Sequence, residues 1–157
     1  MKYRAPRLPA EPGGEGWITD LDGKRLMRVE TVPHGRSLGA ILSSEHGEPL
    51  AAARLKRTLT GTLAAIEAGG EPFATLALRG RKRNGAVRVR CASGDYDIAG
   101  DFEAWDFHVL LDASPVADVA SRKTDPTAYL IETSDHEEQV PLLAMILAVD
   151  LLVQAAR

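Results

Sequence analysis

Cysteine is almost absent. Cys91 stands alone in a chain of 157 residues, which excludes a disulfide scaffold and a zinc cage built from thiolates. Aromatic residues make up only 5% of the chain, and none interleaves a basic run, so stacking recognition of nucleic acid is not expected. Neither charge sign dominates: the formal net charge is −3 and 45% of residues are apolar. A disordered chain, a collagen-like repeat and a globally basic nucleic-acid binder are thereby excluded. Residues 1–16 hold no apolar core, so no secretory signal is read and a reducing, cytoplasmic setting is the expectation. At 16.9 kDa the chain has the size of a single domain.

What is present is a repeated unit. Apolar residues flank short polar turns at Asp20-Leu21-Asp22-Gly23, Glu45-His46-Gly47-Glu48, Gly69-Gly70-Glu71 and Asp112-Ala113-Ser114-Pro115, with a further turn near Ser93-Gly94. Glycine and acid-glycine pairs supply the positive φ angles that tight hairpins need. Between turns the pattern alternates, as where Val87, Val89 and Cys91 are separated by Arg88 and Arg90. A two-residue period with one polar face describes strands buried on their other face. The spacing predicts successive hairpins of a meander with ten to twelve strands, and an antiparallel sheet of that length should close to remove its edges. Residues 1–16, which include Pro6, Pro9, Pro12, Gly13, Gly14 and Gly16, are expected to form an irregular arm. Residues 17–157 are expected to form one domain.

The carboxyl end departs from the strand pattern. Ser134-Asp135-His136-Glu137 has the spacing of a capping box, and a helix is expected over about residues 137–155. From Val140 to Val153 every residue is apolar except Asp150. A helix without a polar face has to be surrounded. Its fourteen residues rise about 21 Å, short of a bilayer, so the surroundings are expected to be protein and no transmembrane span is predicted. The architecture so read is mainly β, a closed antiparallel barrel of about twelve strands around a hydrophobic C-terminal helix. Asp150, the one charge in that helix, is expected to be a structural buried acid, paired with an arginine or satisfied by backbone.

Three stretches, in this order and spacing, carry a family resemblance. They are Trp17-Ile18-Thr19-Asp20-Leu21-Asp22-Gly23 with Met27-Arg28-Val29, then Ile98-Ala99-Gly100-Asp101-Phe102 with Phe107-His108-Val109 and residues 115–123, and then residues 127–132 leading to Ala148-Val149-Asp150. Together they resemble the LURP-one-related family, whose fold is shared with the tubby carboxyl-terminal domain and the phospholipid scramblases. The resemblance implies a twelve-stranded barrel around a hydrophobic helix, and a binding or scaffold role rather than an enzyme. Tubby domains bind phosphoinositide head groups through basic residues, so an anionic lipid or phosphorylated partner is implied here. The chain departs from the family pattern in its sparse aromatics and in the Pro/Gly-rich arm that stands in place of an ordered first strand.

The near-neutral total conceals a gradient: residues 54–90 carry +7 and residues 91–157 carry −10. Either the basic block meets an anionic partner or the two parts lie side by side and neutralise each other. The sharpest surface feature is Arg79, Arg81, Lys82 and Arg83, which run into an Asn-Gly turn. With Arg54, Lys56 and Arg57 on the preceding hairpin, these cations are the candidate anion-binding residues, and clustered cations near a membrane add about 1 kcal/mol each. The alternative is an exposed turn whose charges keep a sheet edge soluble. The acids of Asp95-Tyr96-Asp97-Ile98-Ala99-Gly100-Asp101-Phe102-Glu103-Ala104-Trp105-Asp106 partly follow a calcium-loop spacing. Ala99 removes a ligand there and strand-like flanks replace the helices, so a hairpin with solvated acids and inward Ile98 and Phe102 is expected, without a metal. His34, His46, His108 and His136 show no ligand spacing, Ser37, Ser43 and Ser44 sit in no nucleophile motif, and Cys91 reads as a small buried hydrophobe. No catalytic residue and no cofactor is assigned. The expected function is a non-enzymatic binding or scaffold protein, cytoplasmic and peripheral to a membrane if its ligand is a lipid head group. The alternative is a scramblase-like, lipid-handling protein whose terminal helix leaves the barrel and inserts.

Overall fold

The structure, a computed structural model, describes residues 1–8, 12–81, 84–92, 94–122 and 124–156, with only the backbone described at positions 80, 81 and 84. The alternating segments form twelve strands, each antiparallel to its neighbours in sequence. They are β1 (Lys2–Pro6), β2 (Glu15–Thr19), β3 (Arg25–His34), β4 (Ser37–Ser44), β5 (Pro49–Thr58) and β6 (Gly61–Ala68), followed by β7 (Glu71–Arg81), β8 (Asn84–Cys91), β9 (Tyr96–Asp101), β10 (Asp106–Leu111), β11 (Ser114–Arg122) and β12 (Asp125–Thr133). Pairing of β1 with β12 closes the sheet into a barrel, so no strand edge is left open. The connections at Gly69-Gly70 and Asp112-Ala113 have positive φ at both residues. That geometry matches the right-handed twist of the flanking strands.

The amino-terminal segment corrects the expectation of an irregular arm over residues 1–16. Lys2–Pro6 is a strand in register with β12 from Lys2↔Glu132 to Pro6↔Ala128, and it meets β2 at Arg4↔Thr19. Its two inward residues, Tyr3 and Ala5, are 2% and 0% exposed. Pro6 is the strand's last residue. Gly16 of β2 lies so close to it that a Cβ there would stand 2.7 Å from the Pro6 ring. The first seam of the barrel is therefore sealed by a proline packed on a glycine.

One helix, α1 (Gln139–Ala155), fills the lumen, and all of its residues from Pro141 to Val153 are buried, Asp150 included. It starts two residues later than the expected residue 137, and four later than a cap at Ser134 would place it. Glu138 occupies the N-cap position without a side-chain cap bond. The Ser134 hydroxyl instead accepts the His136 N–H inside the preceding turn. Gln139 ties that turn to the helix, its amide donating to the carbonyls of Ser134 and Glu137 at 3.0 and 2.9 Å. The Gln139 side-chain oxygen accepts the Tyr3 hydroxyl at 2.9 Å and the Thr133 hydroxyl.

The helix packs against β4, β5, β6 and β7. The inward positions there mix alanine with larger aliphatic residues: Ala40, Ala51, Ala53, Ala64 and Ala74 are buried beside Leu42, Leu55, Ile66 and Leu76. On β1, β9, β10, β12 and the β9–β10 turn the inward positions are large: Tyr3, Ile98, Phe102, Trp105, Phe107 and Tyr129. Alanines interspersed with aliphatic side chains on one wall, and aromatics on the other, let an off-centre helix fill a twelve-stranded barrel at protein density.

Asp150 is a buried acid satisfied in part by backbone, as expected. Its carboxylate accepts the Leu8 N–H at 2.8 Å and the Gln154 amide at 2.9 Å, and Gln154 also donates to the Leu8 carbonyl at 2.9 Å. The helix thereby holds the chain leaving β1 across the barrel mouth. Replacing Asp150 by Ala strands a buried donor, an effect of about 1–3 kcal/mol. The Asp150→Ala protein should melt below wild type, and Asp150→Asn, which keeps an acceptor, should fall between them. An Asp150→Ala melting temperature equal to wild type contradicts this role.

Candidate anion-binding face

A meander places its connections alternately at the two ends of the barrel. The connections before β3, β5, β7, β9 and β11 share one end with the segment leading into α1. Asp20, Asp22, Glu45, Glu48, Glu71, Asp95, Asp112, Asp135, Glu137 and Glu138 gather there, against Lys2, Lys24, Arg25 and the N-terminal ammonium, which is bound to Asp135. Arg7, Arg36, Arg57, Arg79 and Arg122 lie towards the opposite end. Among the described residues, the acids of that opposite end are Glu15 at the start of β2 and Asp101, Glu103, Asp106 and Asp125 in the sector of β9 to β12. The +7 and −10 blocks of the linear sequence thus fold into a molecule that is acidic at one end and, around β3 to β8, basic at the other.

The outer wall of β5 to β8 carries the candidate site. Register sets Lys56, Leu63, Ala77 and Arg88 in one row across these four strands, and Arg54, Ala65, Thr75 and Arg90 in the next. Between the cations of these rows runs a groove of 430 Å³, floored in part by Leu63 and Ala77, whose polar lining includes Thr58, Thr60, Thr75, Arg79, Arg88 and Arg90. Guanidinium groups and threonine hydroxyls are all hydrogen-bond donors to an oxyanion, and arginine matches phosphate oxygens two at a time. At the strand seam, Asp97 of β9 stands opposite Arg88.

The structure divides the residues singled out in the sequence. Arg79 lines the groove. Arg54 and Lys56 lie across β6 from it, and Arg54 is already bound to Glu67 at 3.1 Å. Arg57, next to Lys56 in a strand, must face the other way. It lines a different cavity, the 260 Å³ mouth beside the end of α1, with Arg36, Leu38, Leu55, Leu151 and Gln154. Lys82, Arg83 and the side chain of Arg81 lie outside the described residues. Arg88 and Arg90 are the residues that sequence reasoning missed: their alternation with Val87 and Val89 placed them outward, but only the β7–β8 register shows that they border the groove with Arg79.

Other candidates resolve locally. Residues 95–106 form the β9–β10 hairpin, with Ile98 and Phe102 fully buried. Among the described residues no cluster of three or more His, Cys, Asp or Glu is placed to hold a metal ion. His108 meets Asp118 across β10 and β11 at 2.5 Å on the exposed surface. Cys91 is half-buried. Inside the mouth, Trp105 is held in the β9–β10 turn at φ 55°, a costly conformation for a bulky side chain. It stacks on Tyr129 at 4.8 Å and lies under the Arg7 guanidinium, also at 4.8 Å. Burial pushes the Tyr129 hydroxyl well above its ordinary pKa, the Asp150 carboxylate adding to the shift and Arg7 opposing it.

The chain matches no protein-family model and no curated protein. Among solved structures it is similar to a protein from Arabidopsis thaliana determined by X-ray crystallography, with a TM-score of 0.67 at 17% sequence identity. The likeness covers 99% of this chain and 92% of that one. At this identity it shows a shared fold.

The Tyr129 environment has a pH signature. An unfolded tyrosine ionises near pH 10, so a phenol with a raised pKa in the folded state leaves stability intact below about pH 10 and removes it as pH climbs towards the folded value. In an alkaline titration followed by phenolate absorbance, Tyr129 should stay protonated until the barrel unfolds. Reversible ionisation of all three tyrosines near pH 10 in the folded protein contradicts that placement.

Proposed function

We propose that this chain is a non-enzymatic binding module of the LURP-one-related type, which takes an anionic, phosphate-bearing ligand on the outer wall of β5 to β8. The observation that carries the reading is the convergence of Arg79, Arg88 and Arg90 on one groove edged by Thr58, Thr60 and Thr75. A filled lumen supports an external site, since α1 and the aromatic residues leave the barrel interior to the protein itself. No aromatic residue lines the groove, which disfavours a stacked nucleobase and favours an oxyanion. The setting so proposed is cytoplasmic, peripheral to a membrane when the phosphate belongs to a lipid. The scramblase-like alternative asks α1 to leave the barrel. No helix among the described residues is long and apolar enough to cross a membrane, and departure would break the bonds of Asp150 to Leu8 and Gln154.

The test is co-sedimentation with vesicles of phosphatidylcholine alone or doped with phosphatidylserine and a phosphatidylinositol phosphate, beside calorimetry with inositol hexakisphosphate in solution. Wild type should bind the anionic probes and not the neutral vesicles, more weakly as salt is raised. At about 1 kcal/mol per surface cation, the Arg88→Gln/Arg90→Gln double variant, which sets no like charge opposite Asp97, should lose at least about tenfold in affinity while melting close to wild type. Equal binding by variant and wild type, or no binding to any anionic probe, overturns the reading.

A further inference from the structure

Leu59 is the most exposed large apolar side chain among the described residues, at 107% relative accessibility against 52% for Met1 and 46% for Leu21. It stands at the tip of the β5–β6 hairpin. The turn does not need it. The Thr58 hydroxyl donates to the Gly61 carbonyl at 2.9 Å, and Gly61 supplies the positive φ of 143°. A leucine held wholly in water gains nothing from folding; one exposed apolar side chain is ordinary by itself, and the environment it meets is read from what surrounds it.

Its neighbours say which environment. Thr58 and Thr60, on either side of Leu59, both line the groove of Arg79, Arg88 and Arg90. The hairpin contributes Lys56 and Arg57, and residues 49–66 contain no acid. Arg36 stands at the same end of the barrel, the acids of this end lie on β2 and in the sector of β9 to β12, and the remaining acidic connections occupy the far end. A molecule polarised in this way turns its basic end towards an anionic surface and its acidic end away. An apolar tip inside a cationic rim matches the layers of a membrane face, charged head groups first and hydrocarbon beneath.

We infer that this end of the barrel docks on an anionic lipid bilayer, with Leu59 entering the hydrocarbon boundary while the adjoining groove holds a phosphorylated head group. The inference rests on the anion-binding reading above and chooses its source: a lipid in a bilayer, not a free phosphate. Groove and tip share one hairpin, so a head group seated between Thr58 and Arg88 brings Leu59 to the depth where its lipid begins.

Two variants test it, both at a position whose exposure leaves the fold unaffected. Leu59→Ser should bind inositol hexakisphosphate as wild type does, yet lose about tenfold or more in affinity for phosphatidylserine and phosphatidylinositol phosphate vesicles, the scale expected for one buried leucine. Leu59→Trp provides a reporter. Its emission should shift to the blue on anionic vesicles and be quenched by brominated phospholipid, with no change on phosphatidylcholine alone. The inference is overturned if Leu59→Ser binds anionic vesicles as wild type does, or if Leu59→Trp emission is unmoved by vesicles that the protein binds. Binding of the soluble phosphate through Arg88 and Arg90 without any vesicle binding also overturns it, and leaves the anion-binding groove standing. Loss of both soluble and vesicle binding removes the groove as well.

Discussion

An apolar helix with no polar face is the constraint on which the rest of this structure depends. From Pro141 to Val153 every side chain of α1 is buried, and each fully buried Leu, Ile, Val or Met adds about 1.5–3 kcal/mol only while water is kept away on all sides. A single sheet covers one face. A closed barrel covers every face, and twelve strands enclose a lumen wide enough for a helix. The inner wall follows from the same demand, with five alanines among the leucines and isoleucine of β4 to β7 where the helix approaches, and Trp105, Tyr129 and Phe107 where it does not. Even the barrel's last seam is tied to α1, through the Asp150 carboxylate and the Leu8 amide.

With the interior occupied, chemistry is left to the outer wall and the two rims. There the meander imposes a second order, because consecutive turns go to opposite ends. Acids cluster in one set of turns, while cations collect in the other set and on the outer faces of β5 and β8. The result is a rigid frame with an electrical direction, a groove of donors on one wall, and an exposed leucine where that wall meets the basic rim.

Much of this was legible in the chain. The Gly-Gly and Asp-Gly turns, the alternation around Val87 and Val89, and the run from Val140 to Val153 specify hairpins, closure and a buried helix through local physics. The first strand was not legible, because only Tyr3 and Ala5 show the alternation before Pro6 interrupts it, and pairing with β12 supplies what the local pattern lacks. The site was half legible. Opposite faces for Lys56 and Arg57 follow from strand parity alone, and each went where parity requires. The company of Arg79 with Arg88 and Arg90 was hidden, because it depends on a cross-strand register that no local signal states. The same blindness made the charge look like two blocks along the chain, when folding sorts it by alternate turns.

Amide hydrogen exchange with and without anionic vesicles tests the central claim, a fixed barrel that meets its ligand at the basic rim. Residues 142–153 should exchange slowest and remain unchanged by vesicles. New protection should be confined to residues 56–62, 75–79 and 85–90. Faster exchange in the helix on vesicle binding, or protection centred on the acidic turns, contradicts the claim.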